Sequence, residues 1–262
     1  MRELLLPISL AMVCLLTCRT LPAQEEADQT WGDLTGTFLC DGPIPEPVMF
    51  MPRPGVRIRD ESLVVGKMGG IKNVVVTLHR ERGEEPPPIH DSYDEAAKRE
   101  IALDFTGFRL KPHIALLRTT QSLVLSNKDA VGHGFRLPAV DNYAIAQVLP
   151  PGEKRNYSLR ARERLPILVS NPIHPWITGV VVVQDHPYMA VTDDRGAFTL
   201  GNLPTGEWTF RFWHEKVGGL EEITRDRETL DCPGGRLTVA IAAGENRLGT
   251  FRLPAKQFAP RR

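Results

Sequence analysis

Short hydrophobic runs, separated by Gly, Pro, Asn and Asp, recur along most of the chain. Runs of roughly four to eight residues that are rich in β-branched and aromatic residues are typical of strands. The runs that fit are residues 34–39, 73–78, 114–117, 122–126, 167–170, 179–184, 197–200, 208–213 and 237–242. Their spacing predicts an all-β fold built as an antiparallel β-sandwich.

Alternation and turn chemistry support this prediction. Trp208, Phe210 and Phe212 occupy every second position, so we expect them on one strand face, where they form core. Residues 193–196 and 203–206 combine Asp, Pro and Gly, which supply the fixed and positive φ angles of tight turns. Short strands joined by hairpins are therefore expected.

Two segments depart from the strand pattern. Residues 91–101 follow the proline-rich stretch 84–88, begin with Asp91 or Ser92 as a candidate cap, and predict one short surface helix inside an insertion. Residues 43–54 are rich in proline and are predicted to wrap an edge of the sheet.

The composition is that of a globular protein. The 262 residues are 42% hydrophobic and 24% charged, enough for one large core or two small ones. Lys+Arg and Asp+Glu both total 32, so no net field favours a nucleic-acid partner. We interpret the basic stretch of Arg160, Arg162 and Arg164 as a solvated strand face.

The N-terminal segment has the pattern of a secretory signal. Arg2 is followed by apolar residues 4–16 and by Leu21-Pro22-Ala23, which predicts residues 1–23 as a signal peptide cut after Ala23. The apolar run is shorter than the ~20 residues of a membrane-spanning helix, and no later segment predicts one. The mature protein is expected to be periplasmic or extracellular, with lipid attachment at Cys18 as an alternative.

Cysteine usage leaves one question open. Removal of the signal takes Cys14 and Cys18 with it and leaves Cys40 and Cys232. In an oxidising compartment these two could form a disulfide, or they could be two buried free thiols. The sequence does not decide between them.

Two histidine phrases carry the candidate chemistry. The first runs from Asn127-Lys128-Asp129 to His133, and the second is residues 171–177, Asn-Pro-Ile-His-Pro-Trp-Ile, with His174 at its centre. Their order resembles the plastocyanin-like cupredoxins, closest to the methylamine-utilisation-like branch of secreted bacterial proteins. The resemblance covers residues 31–185 and implies a cupredoxin-like sandwich there.

The resemblance also implies where copper ligands would stand. His133 and His174 match the two histidine ligands, whereas Asn171 stands at the cysteine position and Ile177 at the methionine position. Gly134 replaces the asparagine that usually follows the first histidine. A type 1 copper site needs a thiolate and a weak axial thioether, so the site is predicted to be degenerate.

The remaining ligands leave two alternatives. Two neutral imidazoles can still bind Cu(II) or Zn(II), with His113 or a nearby carboxylate as a third ligand. Otherwise His133 and His174 are retained only for hydrogen bonds between loops. The cofactor is thus none or copper. The pairs Asp185-His186 and His214-Glu215 are interpreted as surface features.

The C-terminal part resembles a second family. Residues 188–208 look like the regulatory-like module of carboxypeptidases, which implies a transthyretin-like β unit over residues 186–254, followed by a tail at 255–262. The boundary near Asp185 is soft, because strands within residues 31–78 could pair with those after Gly196. The two units would then interdigitate.

Catalytic signatures are absent from the sequence. It contains no phosphate-binding Gly-rich loop, no His-Glu-x-x-His and no Gly-x-Ser-x-Gly, and Ser170 near His174 has no identifiable orienting acid. We therefore expect that the protein is not an enzyme, and that it is an exported binding or structural protein of the bacterial envelope. Its expected partner is another envelope protein or a carbohydrate. The alternative is a copper-binding protein, either an electron carrier or a copper accessory factor.

Overall fold

The computed structural model describes residues 30–44, 46–53 and 55–259, and the predicted signal peptide lies outside the described residues. The predicted all-β fold is confirmed. The strands are β1 Trp31–Asp41, β2 Met49–Arg53, β3 Val56–Arg59, β4 Val64–Val65, β5 Ile71–Lys72, β6 Val75–Leu78, β7 Glu100–Phe105, β8 Leu110–Lys111, β9 Ile114–Arg118, β10 Ser122–Asn127, β11 His133–Leu137, β12 Ile145–Leu149, β13 Lys154–Tyr157, β14 Ile167–Ser170, β15 Thr178–Gln184, β16 Met189–Val191, β17 Ala197–Pro204, β18 Gly206–His214, β19 Gly218–Gly219, β20 Glu222–Arg225, β21 Glu228–Asp231, β22 Arg236–Ile241 and β23 Gly244–Pro254.

Strands β7 to β15 form one sandwich, here called the central sandwich. One sheet has the order β13-β10-β7-β8 and the other the order β12-β11-β14-β15-β9. Side chains from both sheets meet in a single core that includes Phe105, Leu125, Phe135 and Val181. Alternation places these residues inward on their strands, as the period of two requires.

Two further large sheets, which lie outside the central sandwich, form a second sandwich, here called the outer sandwich. One sheet has the order β17-β1-β23-β20-β21, and the other has the order β16-β6-β18-β19, with β22 beside β18. Phe210 and Phe212 are fully buried in its core, and Trp208 packs against that core from a half-buried position. The predicted common face of these three aromatic residues is confirmed.

The outer sandwich draws strands from both sides of residue 185. Strand β1 pairs antiparallel with β17 and parallel with β23, and β6 pairs with β16 and β18. The chain therefore leaves the outer sandwich after β6, builds the central sandwich, and returns at β16. A division at Asp185 does not separate the sheets, which are arranged in the interdigitated manner that the sequence left open.

The two sandwiches pack face to face. Val180 and Val182 of β15 point away from the central core and meet Val75 and Trp213 of the outer sandwich, while the alternate residues of β15 point inward. A strand buried on both faces needs an unbroken apolar run, and residues 180–183, which are all valine, supply it. The interface therefore has a hydrophobic core of its own.

Several local predictions need revision. The predicted helix consists of two single-turn 3-10 helices, Asp91–Tyr93 and Ala96–Lys98, after which the chain enters β7 at Glu100. Residues 49–53 of the proline-rich segment form β2, which pairs with β3 in a hairpin. Further 3-10 turns are Pro233–Gly235 and Ala255–Phe258. The β1–β23, β7–β10 and β9–β15 pairs run parallel, which a hydrophobic pattern alone does not reveal.

Two further outcomes concern buried side chains. Cys40 and Cys232 are both free thiols, with Cys232 buried in the outer core and Cys40 packed against it. His186 and His214 are fully buried, so the interpretation of these histidines as surface residues was wrong. No helix within the described ranges combines the length and the apolar character that crossing a membrane requires.

Candidate functional site

Two turns at one end of the central sandwich bring the histidine phrases together. His133 is the first residue of β11 and pairs across to Leu149 of β12. Asn171 and His174 lie in the turn between β14 and β15. Because β11 and β14 are neighbours in one sheet, the start of β11 and the end of β14 meet at the same edge.

The two imidazole rings are in direct contact. The Nδ1 atoms of His133 and His174 lie 3.1 Å apart. His133 is fully buried and stacks on Phe105 at a centroid distance of 4.5 Å, and Phe108 makes T-shaped contacts with both rings. His174 is only half-buried and contacts Trp176. The pair thus lies at the sandwich end with one ring inside and one near the surface.

Asp129 fixes the tautomer of His133. Its Oδ2 lies 2.9 Å from His133 Nε2, so Nε2 carries the hydrogen and donates it to the carboxylate. The lone pair of His133 is then on Nδ1, facing the other ring. A carboxylate that orients an imidazole in this way is the usual support of a metal-ligating histidine.

The Asp129 carboxylate is itself held by the backbone. Gly107 N donates to Oδ1 at 2.6 Å and Phe108 N donates to Oδ2 at 2.9 Å. Burial opposes ionisation, but these amides and His133 outweigh it and lower the pKa of Asp129 below its ordinary value. Asp129 is therefore a fixed negative charge behind His133.

Asn171 occupies the centre of the site. Its Oδ1 accepts hydrogen bonds from the amides of Gly134 at 3.1 Å and of Ile173 and His174 at 3.0 Å. These bonds orient the side chain, so that Nδ2 points to His133 Nδ1 at 3.1 Å. A Cβ on Gly134 would lie 2.8 Å from the Pro172 ring, so glycine allows this close approach.

These residues do not fit a type 1 copper site. The side chain at the thiolate position presents an amide NH₂ to His133 Nδ1, and a donor group cannot ligate a metal. Ile177, at the thioether position, is 1% exposed and belongs to the central hydrophobic core. Neither sulfur ligand has a substitute with soft character.

Without a sulfur ligand, the imidazole pair suits Cu(II) or Zn(II) bound through nitrogen better than it suits type 1 copper. Two nitrogens 3.1 Å apart, each at about 2.05 Å from one ion, subtend an angle of about 98° at that ion. Burial and the neighbouring His133 lower the pKa of His174, which keeps its imidazole neutral, as a ligand must be. Any ion there would have to displace the Asn171 amide from His133.

The structure does not bring His113 to this pair. His113 lies where the two sandwiches meet, and its Nε2 is 2.5 Å from Glu215 Oε2 of the outer sandwich. Within the described ranges, no group of three or more His, Cys, Asp or Glu side chains is arranged to hold a metal ion. Ser170 is exposed, and no hydrogen bond between its side chain and His174 is present in the described part of the chain.

Sequence reasoning missed the groups that support the pair. Asp129 was seen only as part of a turn, although it lies four residues before His133 and contacts it. Phe105 and Phe108 come from β7 and the turn after it, more than twenty residues away. The spacing of Asp129 and His133 was the available signal, whereas the aromatic contacts had none.

Comparison with known proteins gives structural neighbours only. No protein-family model matches the sequence, and no curated protein matches it. Solved structures that are similar include a mutant of amicyanin in its reduced state, with 14% identity over 42% of this chain and 98% of amicyanin at a TM-score of 0.29. A purple cupredoxin from Nitrosopumilus maritimus is 20% identical over 32% of this chain and 98% of its own, at a TM-score of 0.26.

A copper-containing nitrite reductase from Thermus scotoductus SA-01 is also similar. It is 14% identical over 40% of this chain and 25% of its own, with a TM-score of 0.29. The chain thus spans a quarter of the length of that enzyme. These neighbours are cupredoxins, and at such TM-scores nothing about metal binding or activity in this chain follows from the similarity.

Proposed function

We propose that the protein is an exported cupredoxin-like binding or structural protein of the bacterial envelope, without catalytic turnover, in which hydrogen bonds replace a type 1 copper site. The observation that carries the proposal is the orientation of Asn171. Three backbone amides hold its Oδ1, and its Nδ2 donates toward His133 where a thiolate would bind copper. A site without a thiolate lacks the electronic pathway of a blue-copper electron carrier.

The same hydrogen bonds give the site a structural purpose. Asn171 links the start of β11 to the β14–β15 turn through Gly134 N, and Asp129 links His133 to the turn after β7 through Gly107 N. Each connected amide is satisfied, which is what a buried turn requires. The cluster therefore ties three turns together at one end of the sandwich, the end at which a β-sandwich commonly presents binding loops.

The test is a Cu(II) titration followed by visible absorption. The wild-type protein is expected to give no intense thiolate-to-copper band, whereas the Asn171→Cys/Ile177→Met double variant is expected to acquire one, because it supplies both sulfur ligands. Asn171→Ser/Ile177→Met is the matched control without a thiolate. An intense band in the wild type contradicts the non-redox proposal. A folded double variant without the band contradicts the cupredoxin-like assignment.

A second candidate function, copper or zinc binding by His133 and His174, is favoured by their Nδ1 separation of 3.1 Å. Calorimetric titration with Cu(II) and Zn(II) separates the two candidates. Stoichiometric binding that is lost in His174→Ala but kept in His90→Ala, a change remote from the pair, supports the second. Absence of stoichiometric binding supports hydrogen bonding as the role of the pair.

Export is tested separately by expressing the precursor in a bacterium. Mass spectrometry of the mature protein is expected to find Gln24 as the first residue. A lipid-modified Cys18 at the N-terminus supports membrane anchoring instead. An uncleaved protein in the cytoplasm contradicts export.

A further inference from the structure

A cavity of about 610 Å³ lies at the junction of the two sandwiches, apart from the histidine pair. Strands β3, β5 and β16 contribute residues on one side, and the central sandwich contributes β8 and the start of β9 on the other. This volume is within the range of about 300–1,000 Å³ that is typical of small-molecule sites. Sites between two packed units are also common for such ligands.

The charged residues that line the cavity are mainly cationic, with Glu61 as the one acidic residue among them. Four basic side chains line it: Arg59, Lys72, Arg109 and Lys111. Lys72 pairs with Asp194 at 2.7 Å, and Arg109 has a long contact of 3.5 Å with Glu61. Within the part of the chain that the structure describes, Arg59 and Lys111 have no carboxylate within salt-bridge distance. The cavity therefore has an excess of positive charge.

Buried polar atoms on the wall lack partners. Arg59 Nε, Arg109 Nε and His113 Nδ1 are buried, and no described atom of the protein hydrogen-bonds to them. The His113 side chain is only 8% exposed, and its Nε2 is already bound to Glu215. Since most buried polar groups are paired, these three atoms are available to a ligand with complementary polar atoms.

Most of the uncharged residues on the wall are apolar: Val64, Leu110, Pro112, Ile114 and Val191. The polar residues Asn73, His113 and Thr192 also line the cavity. An inorganic anion would satisfy the guanidinium groups but leave the apolar side chains facing water. A ligand that fits both parts of the wall has one anionic end and an apolar body.

We propose that this cavity binds a small organic acid, with its carboxylate at Arg59, Arg109 and Lys111 and its apolar body against Leu110, Ile114 and Val191. Guanidinium groups match a carboxylate in a planar, charge-assisted geometry, which favours an oxygen anion over other ligands. The site does not depend on the state of His133 and His174, because the cavity shares no residue with that pair.

The test uses three probes and the full-length mature protein. Benzoate combines a carboxylate with an apolar ring, benzamide keeps the ring without the charge, and acetate keeps the charge without the ring. Calorimetric titration is expected to give benzoate a Kd of about 1 mM or tighter, with benzamide and acetate each about tenfold weaker. Binding of benzoate is also expected to weaken with added salt.

Variants locate the site. Arg59→Gln and Lys111→Gln are each expected to weaken benzoate binding about tenfold. Arg247→Gln, which removes an exposed arginine whose ion pair in the described residues is with Glu245, is the matched control and is expected to leave binding unchanged. Lys111 is exposed, so Lys111→Gln is expected to fold. If Arg59→Gln does not fold, benzoate binding by Lys111→Gln tests the proposal.

Three results would overturn the proposal. The first is no benzoate binding at millimolar concentration. The second is equal binding of benzoate by wild type and Lys111→Gln. The third is acetate binding as tightly as benzoate, which would indicate a simple anion site.

Discussion

Protonation of His186 is expected to make the protein markedly less stable in mild acid. The His186 imidazole is fully buried and stacks on the ring of Tyr188. Burial lowers its pKa from the ordinary 6.5 to about 4, and Arg80 adds to this effect while Asp185 opposes it. The folded protein therefore keeps His186 neutral at pH values where the unfolded chain protonates it.

The direction and size of the effect follow from proton linkage. Between about pH 6.5 and 4 the unfolded state binds more protons than the folded state, so the free energy of unfolding falls as the pH falls. Each pKa unit corresponds to about 1.36 kcal/mol, and the two pKa values give a loss of about 2 kcal/mol from this one group between about pH 7 and 4.5. Other buried groups add to the total, so the contribution must be isolated by substitution.

The assay is urea unfolding of wild type and His186→Phe at both pH values. Phenylalanine keeps a ring beside Tyr188, whose ring centroid lies 5.9 Å from that of His186, but does not titrate. The variant is expected to lose about 2 kcal/mol less than wild type on acidification. Tyr188→Phe is the control: it removes a hydrogen bond to Pro88 O and should lower stability equally at both pH values. Equal losses in wild type and His186→Phe would refute the reasoning.

Three further predictions concern single side chains. Asn171→Ala removes the acceptor of three backbone amides and should lower the free energy of unfolding by about 3 kcal/mol in urea; a loss below about 1 kcal/mol would show that water replaces the amide. Trp213→Ala leaves a cavity between the two sandwiches and should cost about 3–5 kcal/mol, and unchanged stability would contradict the hydrophobic interface. Glu163→Gln weakens charge-assisted bonds from the amides of Val140 and Asp141 and should cost about 1–2 kcal/mol in thermal unfolding; the exposed Glu245→Gln should have no such effect.

The sequence predicted a strand where the residues form a clear hydrophobic pattern, and it failed where the strand is polar or follows residues that favour a helix. The apolar run of β15 was identified because both of its faces are buried. Strand β13, Lys154–Tyr157, was missed because it is a polar strand at the edge of its sheet. Residues 96–98 have high helix propensity, which obscured the beginning of β7 at Glu100. Parallel pairing, as in β1–β23, depends on distant segments that no local pattern reports.

In the candidate site too, features with a local sequence signal were predicted and contacts between distant segments were not. The meeting of His133 with His174 was suggested by resemblance, and the loss of sulfur ligands could be read directly from Asn171 and Ile177. The partner of His113, in contrast, is Glu215, which lies 102 residues away and belongs to the other sandwich. Contacts between units depend on how the two sandwiches pack, and one sequence contains no direct signal for that packing.

The route of the chain has a consequence for the order in which the protein folds. Every strand of the central sandwich comes from residues 100–184, whereas β1 needs β23, about 200 residues later, as its neighbour. Closing so long a loop costs entropy before any contact compensates it, and it cannot happen until β23 has been synthesised. The central sandwich can thus complete its structure while β1 and β6 still wait for partners from the C-terminal part of the chain. These two early strands are the part of the nascent chain most exposed to mispairing and aggregation.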